Sequence, residues 1–145
     1  MKPEINKTLQ TLAQELIQRF SPLLEDEYEQ SRLNSWGTLL FLASMDLDEA
    51  VKNLIEENNM IKDFLEKYTK NIKDKKLIQD TAVLIGQKDF DYNMSSLDEL
   101  NQTYRGLLVR AQTHFEKEQN LEALKDSWKI LRVMHGHRKV SHLLT

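Results

Sequence analysis

Residues 96–115 read Ser-Leu-Asp-Glu-Leu-Asn-Gln-Thr-Tyr-Arg-Gly-Leu-Leu-Val-Arg-Ala-Gln-Thr-His-Phe. Leu97, Leu100, Tyr104, Leu107, Ala111 and Phe115 recur at steps of three and four, so on a helix of 3.6 residues per turn they make one apolar stripe. Ser96 with Glu99 three positions on has the spacing of a capping box and predicts the helix start. Working outward, the same rhythm fills the chain. Ile5, Leu9, Leu12, Leu16 and Phe20 form a second stripe, and Leu47, Val51, Leu54, Ile61, Leu65 and Tyr68 a third. Leu121, Leu124, Trp128, Leu131 and His135 form a fourth. Helices that each bury one apolar face must pack on one another. The expected fold is therefore all-α, a single bundle of five or six mostly antiparallel helices, with residues 1–136 as the bundle domain and 137–145 as a basic and then apolar tail.

The breakers place the boundaries. Ser21-Pro22 predicts a stop and a restart, with Ser21 as N-cap and Pro22 at the first helical position. Asp46 with Glu49 has cap spacing and predicts a break at Met45-Asp46. A helix from about Lys76 to Ile85 is expected to close at Gly86, and the last helix, capped by Asn120, at Gly136 in the left-handed conformation. Gly37 falls inside a helix, where it marks a close crossing or a kink. Asn58 falls on the apolar side of its stripe, and a hydrated position at the stripe's edge is expected for it. Phe90, Tyr92 and Met94, in the segment between the fourth and fifth helices, are expected to plug the core. Trp36 and Trp128 are expected to be buried.

Composition bounds the function. With 40% hydrophobic and 30% charged residues the chain is globular rather than disordered. The absence of cysteine removes disulfides, thiolate chemistry and cysteine-based zinc sites. No apolar run approaches the roughly 18 residues that span a bilayer, and the first residues lack the order of a signal peptide. A cytoplasmic protein with no membrane contact is expected. The net charge of −3 argues against a nucleic-acid coat. The charge is uneven: residues 1–66 carry 6 basic and 13 acidic side chains, whereas 67–88 carry 6 and 2. Surfaces of opposite sign within one chain suit protein association. Lys73, Lys75 and Lys76 in the basic stretch, with Val140, Leu143 and Leu144 in the tail, are the candidate contact residues. Partners are therefore a second protein or the chain itself.

Two local resemblances carry further expectations. Ala43-Ser44-Met45-Asp46-Leu47-Asp48-Glu49-Ala50-Val51 resembles the turn of tetratricopeptide-type helical hairpins, with Ala50 at the small packing position. Ala111, Phe115 and Asn120-Leu121-Glu122-Ala123-Leu124 are similar in the same way. Arg132-Val133-Met134-His135-Gly136-His137 is similar to the R-x4-6-H motif of HEPN domains, which are all-helical. That resemblance implies a metal-independent ribonuclease, with Arg132 binding a phosphate and His137 acting as general acid or base. A helix ending at Gly136 would turn His137 away from Arg132, so cleavage is not expected. His135, His137 and His142 do not share a helix face, no Glu-x-x-His pair occurs, and no metal or cofactor is expected. No glycine-rich phosphate loop or nucleophile motif is present. The expected function is a non-enzymatic helical adaptor or accessory subunit. The HEPN-like ribonuclease is the alternative, and a ligand pocket near Phe90 and Tyr92 is a third possibility.

Overall fold

The protein is described by a computed structural model covering residues 4–87 and 91–139. Every regular element among them is helical and none is a strand, so the fold is an all-α bundle. The α-helices are α1 (Ile5–Gln14), α2 (Glu27–Tyr68), α3 (Lys75–Gly86), α4 (Met94–Lys117) and α5 (Leu121–His137). Of the described residues, 4–50 form one compact unit and 51–139 the other. The first half of α2 belongs to the former and its second half to the latter.

The first unit is a helical hairpin. α1 widens into a π-helical turn at Glu15–Phe20 and tightens into a 3-10 turn at Ser21–Leu23, which contains Pro22. Ser21 is not the cap of the next helix. Leu24 is extended after it, and Asp26 caps α2 instead, its Oδ1 accepting from the amides of Tyr28 at 2.8 Å and Glu29 at 3.1 Å. Ser21 is buried and ties the turn to α2: its hydroxyl donates to the Gln30 carbonyl, and Gln30 Nε2 donates back to the Ser21 carbonyl. The predicted break at Met45-Asp46 is absent, because nothing from Asp46 to Ala50 is a glycine or proline and α2 continues through it.

The second unit holds the main core. Phe64, Tyr68 and Phe115 pack with ring centroids 5.0–6.2 Å apart. Ile61, Leu65, Leu77, Leu108, Ala111 and Ala123 surround them and are almost fully buried. Asp74 caps α3, accepting from the amides of Lys76 and Leu77, and these bonds hold its carboxyl below the usual range. Asn93, not Ser96, caps α4, accepting from the Ser96 amide at 2.8 Å. Asn120 caps α5, as its sequence position implies. Between α4 and α5, Gln119 takes a left-handed φ of 54°. The Asn120 amide then reaches the Phe115 carbonyl at 2.9 Å, the 6→1 bond of a Schellman turn.

Several expectations about glycines and aromatics are corrected. No described glycine has positive φ. Gly86 is the last residue of α3, and Gly136 lies inside α5, which runs through His137 and so past the boundary set at 136. Trp36 and Trp128 are 53% and 45% exposed rather than buried. On α5 the inward face is Ala123, Leu124, Ser127, Ile130 and Met134, while Leu121, Trp128 and Leu131 face outward. Small Ala123 and Ser127 let α5 approach α4, where Gln112 Nε2 donates to the Ser127 hydroxyl at 2.9 Å; close approach, not bulk, sets that face. Tyr92 and Met94 are exposed and do not plug the core. Phe90 lies outside the described residues.

Candidate functional site

The continuous α5 changes the surroundings of the Arg132–His137 motif. Arg132 is exposed to solvent. His137 is half-buried, with Nδ1 3.1 Å from Glu57 Oε1 and Nε2 3.7 Å from Glu56 Oε2. Glu57 is only 2% exposed. Its two oxygens accept from Arg138 Nη1 at 2.8 Å and Nη2 at 2.9 Å, a bidentate pair. Asn101 Nδ2 donates to Glu57 Oε2 at 3.1 Å and to Asn58 Oδ1 at 3.0 Å, and Asn58 Nδ2 donates to the Leu97 carbonyl. Asn58 is therefore buried and bonded, not hydrated at an edge. Every polar atom of this cluster that needs a partner has one. The Arg138 guanidinium matches the buried charge of Glu57, and Glu56 is the exposed carboxylate beside His137. The arrangement is that of a closed latch between α2, α4 and the end of α5.

Glu57 and Asn101 were not singled out in the sequence. Their signal is there: Glu57-Asn58 and Asn101 are polar residues set into two apolar stripes. Polar groups in such places are costly unless they meet.

The basic candidates separate. Lys73 is a structural tie: its ammonium pairs with Glu118, and its amide donates to His114 Nε2 at 3.2 Å. Lys75 and Lys76 are exposed at the start of α3. Val140, Leu143 and Leu144 lie outside the described residues. A second charged knot joins α2 and α5. Asp126 accepts from Lys129, Lys67 and the Tyr68 hydroxyl, each at 2.8 Å. These donors hold its carboxyl well below the usual carboxylate range, Lys129 contributing most. The bond to Asp126 in turn pushes the Lys67 ammonium above the ordinary lysine value.

Near Tyr92 a cavity of about 240 Å³ is lined by Ile55, Asn58, Asn59, Lys62, Leu97, Leu100 and Tyr104. It is smaller than the roughly 300 Å³ at which ligand pockets begin, and the Asn58 amide beside it is already bonded to Leu97. Among the described residues no group of three or more acidic or histidine side chains could hold a metal ion. No described helix is long and apolar enough to cross a membrane.

The hairpin of the first unit carries several exposed large apolar side chains. α1 and α2 meet at small residues: a Cβ on Gly37 would lie 2.5 Å from Ile17 Cγ1 and 3.1 Å from the Ala13 carbonyl. This is the close crossing, not a kink. The residues one position before each contact residue are Leu12, Leu16 and Trp36. In an antiparallel pair, a step back of 100° on each helix turns both to the same side. Leu12, Leu16 and Trp36 therefore share one side of the hairpin instead of lining its seam, whereas Tyr28 and Leu39, nine residues before and two after Gly37, stand on the face of α2 turned away from α1. Ile5, Leu12 and Phe20 of the α1 stretch are 45–60% exposed, and Tyr28, Trp36 and Leu39 of α2 are 53–69% exposed. Arg32 lies over the rings of both Tyr28 and Trp36, 5.9 and 5.4 Å from their centroids. A shallow groove on α2 is lined by Glu27, Gln30, Ser31, Asn34, Ser35, Thr38 and Leu39. The stripe at Ile5–Phe20 is real, but it does not face the neighbouring helix.

No protein-family model matches the chain, and neither a curated protein nor a solved structure matches it.

Proposed function

We propose that this protein is a non-enzymatic interaction module, an adaptor or accessory subunit that binds protein through the apolar side of the α1–α2 hairpin. One observation supports it: Ile5, Leu12 and Trp36 stand half exposed or more on one side of two helices that meet closely at Ala13, Ile17 and Gly37. Contiguous apolar surface of this kind marks interaction sites on folded proteins. The amphipathic hairpin matches the helix-in-groove mode of recognition, read as anchors at three- and four-residue steps. The latch at Glu57 argues in the same direction, because it engages His137 in a structural contact with a buried carboxylate. The lack of cysteine suits a reducing compartment such as the cytoplasm.

The test places a photo-activatable phenylalanine analogue at Trp36 on the apolar side or at Thr38 on the polar side, in the producing cell. Protein adducts are expected from position 36 and not from position 38. Equal yields from the two positions, or none from 36, would remove the hairpin from the function.

A further inference from the structure

We infer that the cavity beside Tyr92 in the second unit is a binding site for a small monocarboxylate, one with a single ring or a short branched chain. The Lys62 ammonium, the Tyr104 hydroxyl and the Asn59 amide would hold its carboxylate, and Ile55, Leu97 and Leu100 its apolar end. The site is built from the second half of α2, the start of α4 and the segment just before α4, so it stands independently of the hairpin.

The leading observation is an unused donor. Tyr104 lines the cavity and is only 2% exposed. Burial, and after it the charge of Glu66, pushes its phenol above the ordinary value, and no hydrogen bond acts on it. At neutral pH the group is therefore a proton donor without an acceptor. A buried donor left in that state is costly. The orphaned side-chain atoms sealed in the interior are Asn34 Oδ1 and Thr81 Oγ1. The Tyr104 hydroxyl is not among them, and the cavity is the space it borders.

The lining then selects the sign of the ligand. Lys62 is the one charged residue among the described lining residues, and no carboxylate stands beside it there. Its ammonium is 4.0 Å from Glu66 Oε1, at the outer limit of an ion pair, so it is available to a better-placed anion. Asn59, which also lines the cavity, is exposed and supplies a further amide donor. Asn58 is already spent, its amide on the Leu97 carbonyl and its Oδ1 on Asn101. An amine entering here would meet Lys62 with no lining acid to offset it, whereas a carboxylate meets donors from three side chains. The remaining walls, Ile55, Leu97 and Leu100, are apolar and suit a hydrocarbon body.

Volume sets the size. Pockets for drug-sized molecules begin at roughly 300 Å³, and this cavity holds about 240 Å³. At about 30 Å³ per water that is space for roughly eight waters, so the ligand has on the order of eight to ten non-hydrogen atoms. Nucleotides and peptides are too large. Tyr92 is 70% exposed, which places it at the rim.

Phenylacetate is a probe of this size and charge. Its amide, phenylacetamide, removes the charge, and benzylamine reverses it. Titration of the nitrogen-labelled full chain, followed by two-dimensional amide NMR, should show millimolar phenylacetate shifting Asn59, Lys62, Leu97, Leu100 and Tyr104 and leaving α1 unmoved. Phenylacetamide should bind about tenfold more weakly or worse, and benzylamine should shift none of these residues. Lys62→Met keeps the stem and should cost about tenfold in affinity. Tyr104→Phe removes only the hydroxyl and should cost about three- to tenfold, with unchanged helical circular dichroism. Should Tyr104→Phe disturb the fold, Lys62→Met at its partly exposed position carries the test. No shift at the cavity with phenylacetate, equal binding of the amide or the amine, or wild-type affinity in Lys62→Met would each overturn the inference.

Discussion

Replacing Gly37 by alanine sets two effects of similar size against each other. Alanine in a helix interior is favoured over glycine by about 1 kcal/mol. At Gly106, inside α4, a Cβ would meet nothing within 4 Å, so Gly106→Ala should stabilise by roughly 0.5–1 kcal/mol. At Gly37 the new Cβ would sit 2.5 Å from Ile17 Cγ1, 2.9 Å from its Cδ1 and 3.1 Å from the Ala13 carbonyl. Carbon atoms pack best at about 3.5–4.0 Å, so the overlap is on the order of 1 Å. Cγ1 is one bond from Cβ in a β-branched side chain and clears the space only by changing rotamer. The carbonyl belongs to the backbone. Overpacking of this kind costs about 1–3 kcal/mol, and after the propensity gain Gly37→Ala should lose about 1 kcal/mol.

Ile17→Ala removes the nearest atoms. In that background Gly37→Ala should become neutral or stabilising, a coupling of roughly 1–2 kcal/mol between the two positions. Trp36 adjoins the site, so its fluorescence in a Trp128→Phe background reports the hairpin during urea denaturation. If Gly37→Ala stabilises as much as Gly106→Ala, or the two substitutions simply add, the seam is not built as described.

Three further outcomes follow from the second unit. Arg138→Ala leaves the buried Glu57 carboxylate with only His137 and Asn101; because Arg138 is itself nearly half exposed, the loss should be about 2–3 kcal/mol by urea denaturation, below that of a fully buried pair. Gln119→Gly relieves a left-handed φ and should gain about 1 kcal/mol, seen as a rise in thermal midpoint. The Asp126 carboxyl is depressed in the folded state, so its contribution is present above the unfolded carboxylate pKa of about 3.9 and is lost as pH falls through the lower folded value. The thermal midpoints of wild type and Asp126→Asn should therefore converge on acidification below about pH 4, and a gap that stays constant to the acid limit would rule out this role.

The helices were legible because periodicity is a local property. The α4 stripe needed no correction: Leu97, Tyr104, Leu107, Ala111 and Phe115 are all buried. What failed was the direction that two of the stripes face. On α5 the sequence favours the face with the bulky residues, whereas close approach to α4 selects the face with Ala123 and Ser127. On the hairpin the same confusion made Trp36 a core residue, although Gly37 beside it was the contact. Boundaries failed where cap spacing occurs inside a helix, as at Asp46, or where a side chain outside the motif takes the cap, as Asp26 and Asn93 do. The Glu57 cluster stayed hidden for another reason. Asn58 seemed a lone polar residue in a stripe, and only the fold brings it to Asn101, which in turn reaches Glu57 and through it Arg138.

The latch also has a place in time. Its partners stand 81 residues apart in the chain, while the Schellman turn that sets α5 against α4 closes within six. Short loops close at little entropic cost and long ones at more. The α4–α5 corner can form early, and the Glu57–Arg138 bonds close a longer loop after it. Interactions absent from the transition state govern how fast a protein comes apart, not how fast it forms. The ion pair at the end of α5 is thus expected to act as a brake on unfolding: Arg138→Ala should speed the second unit's unfolding more than it slows its assembly.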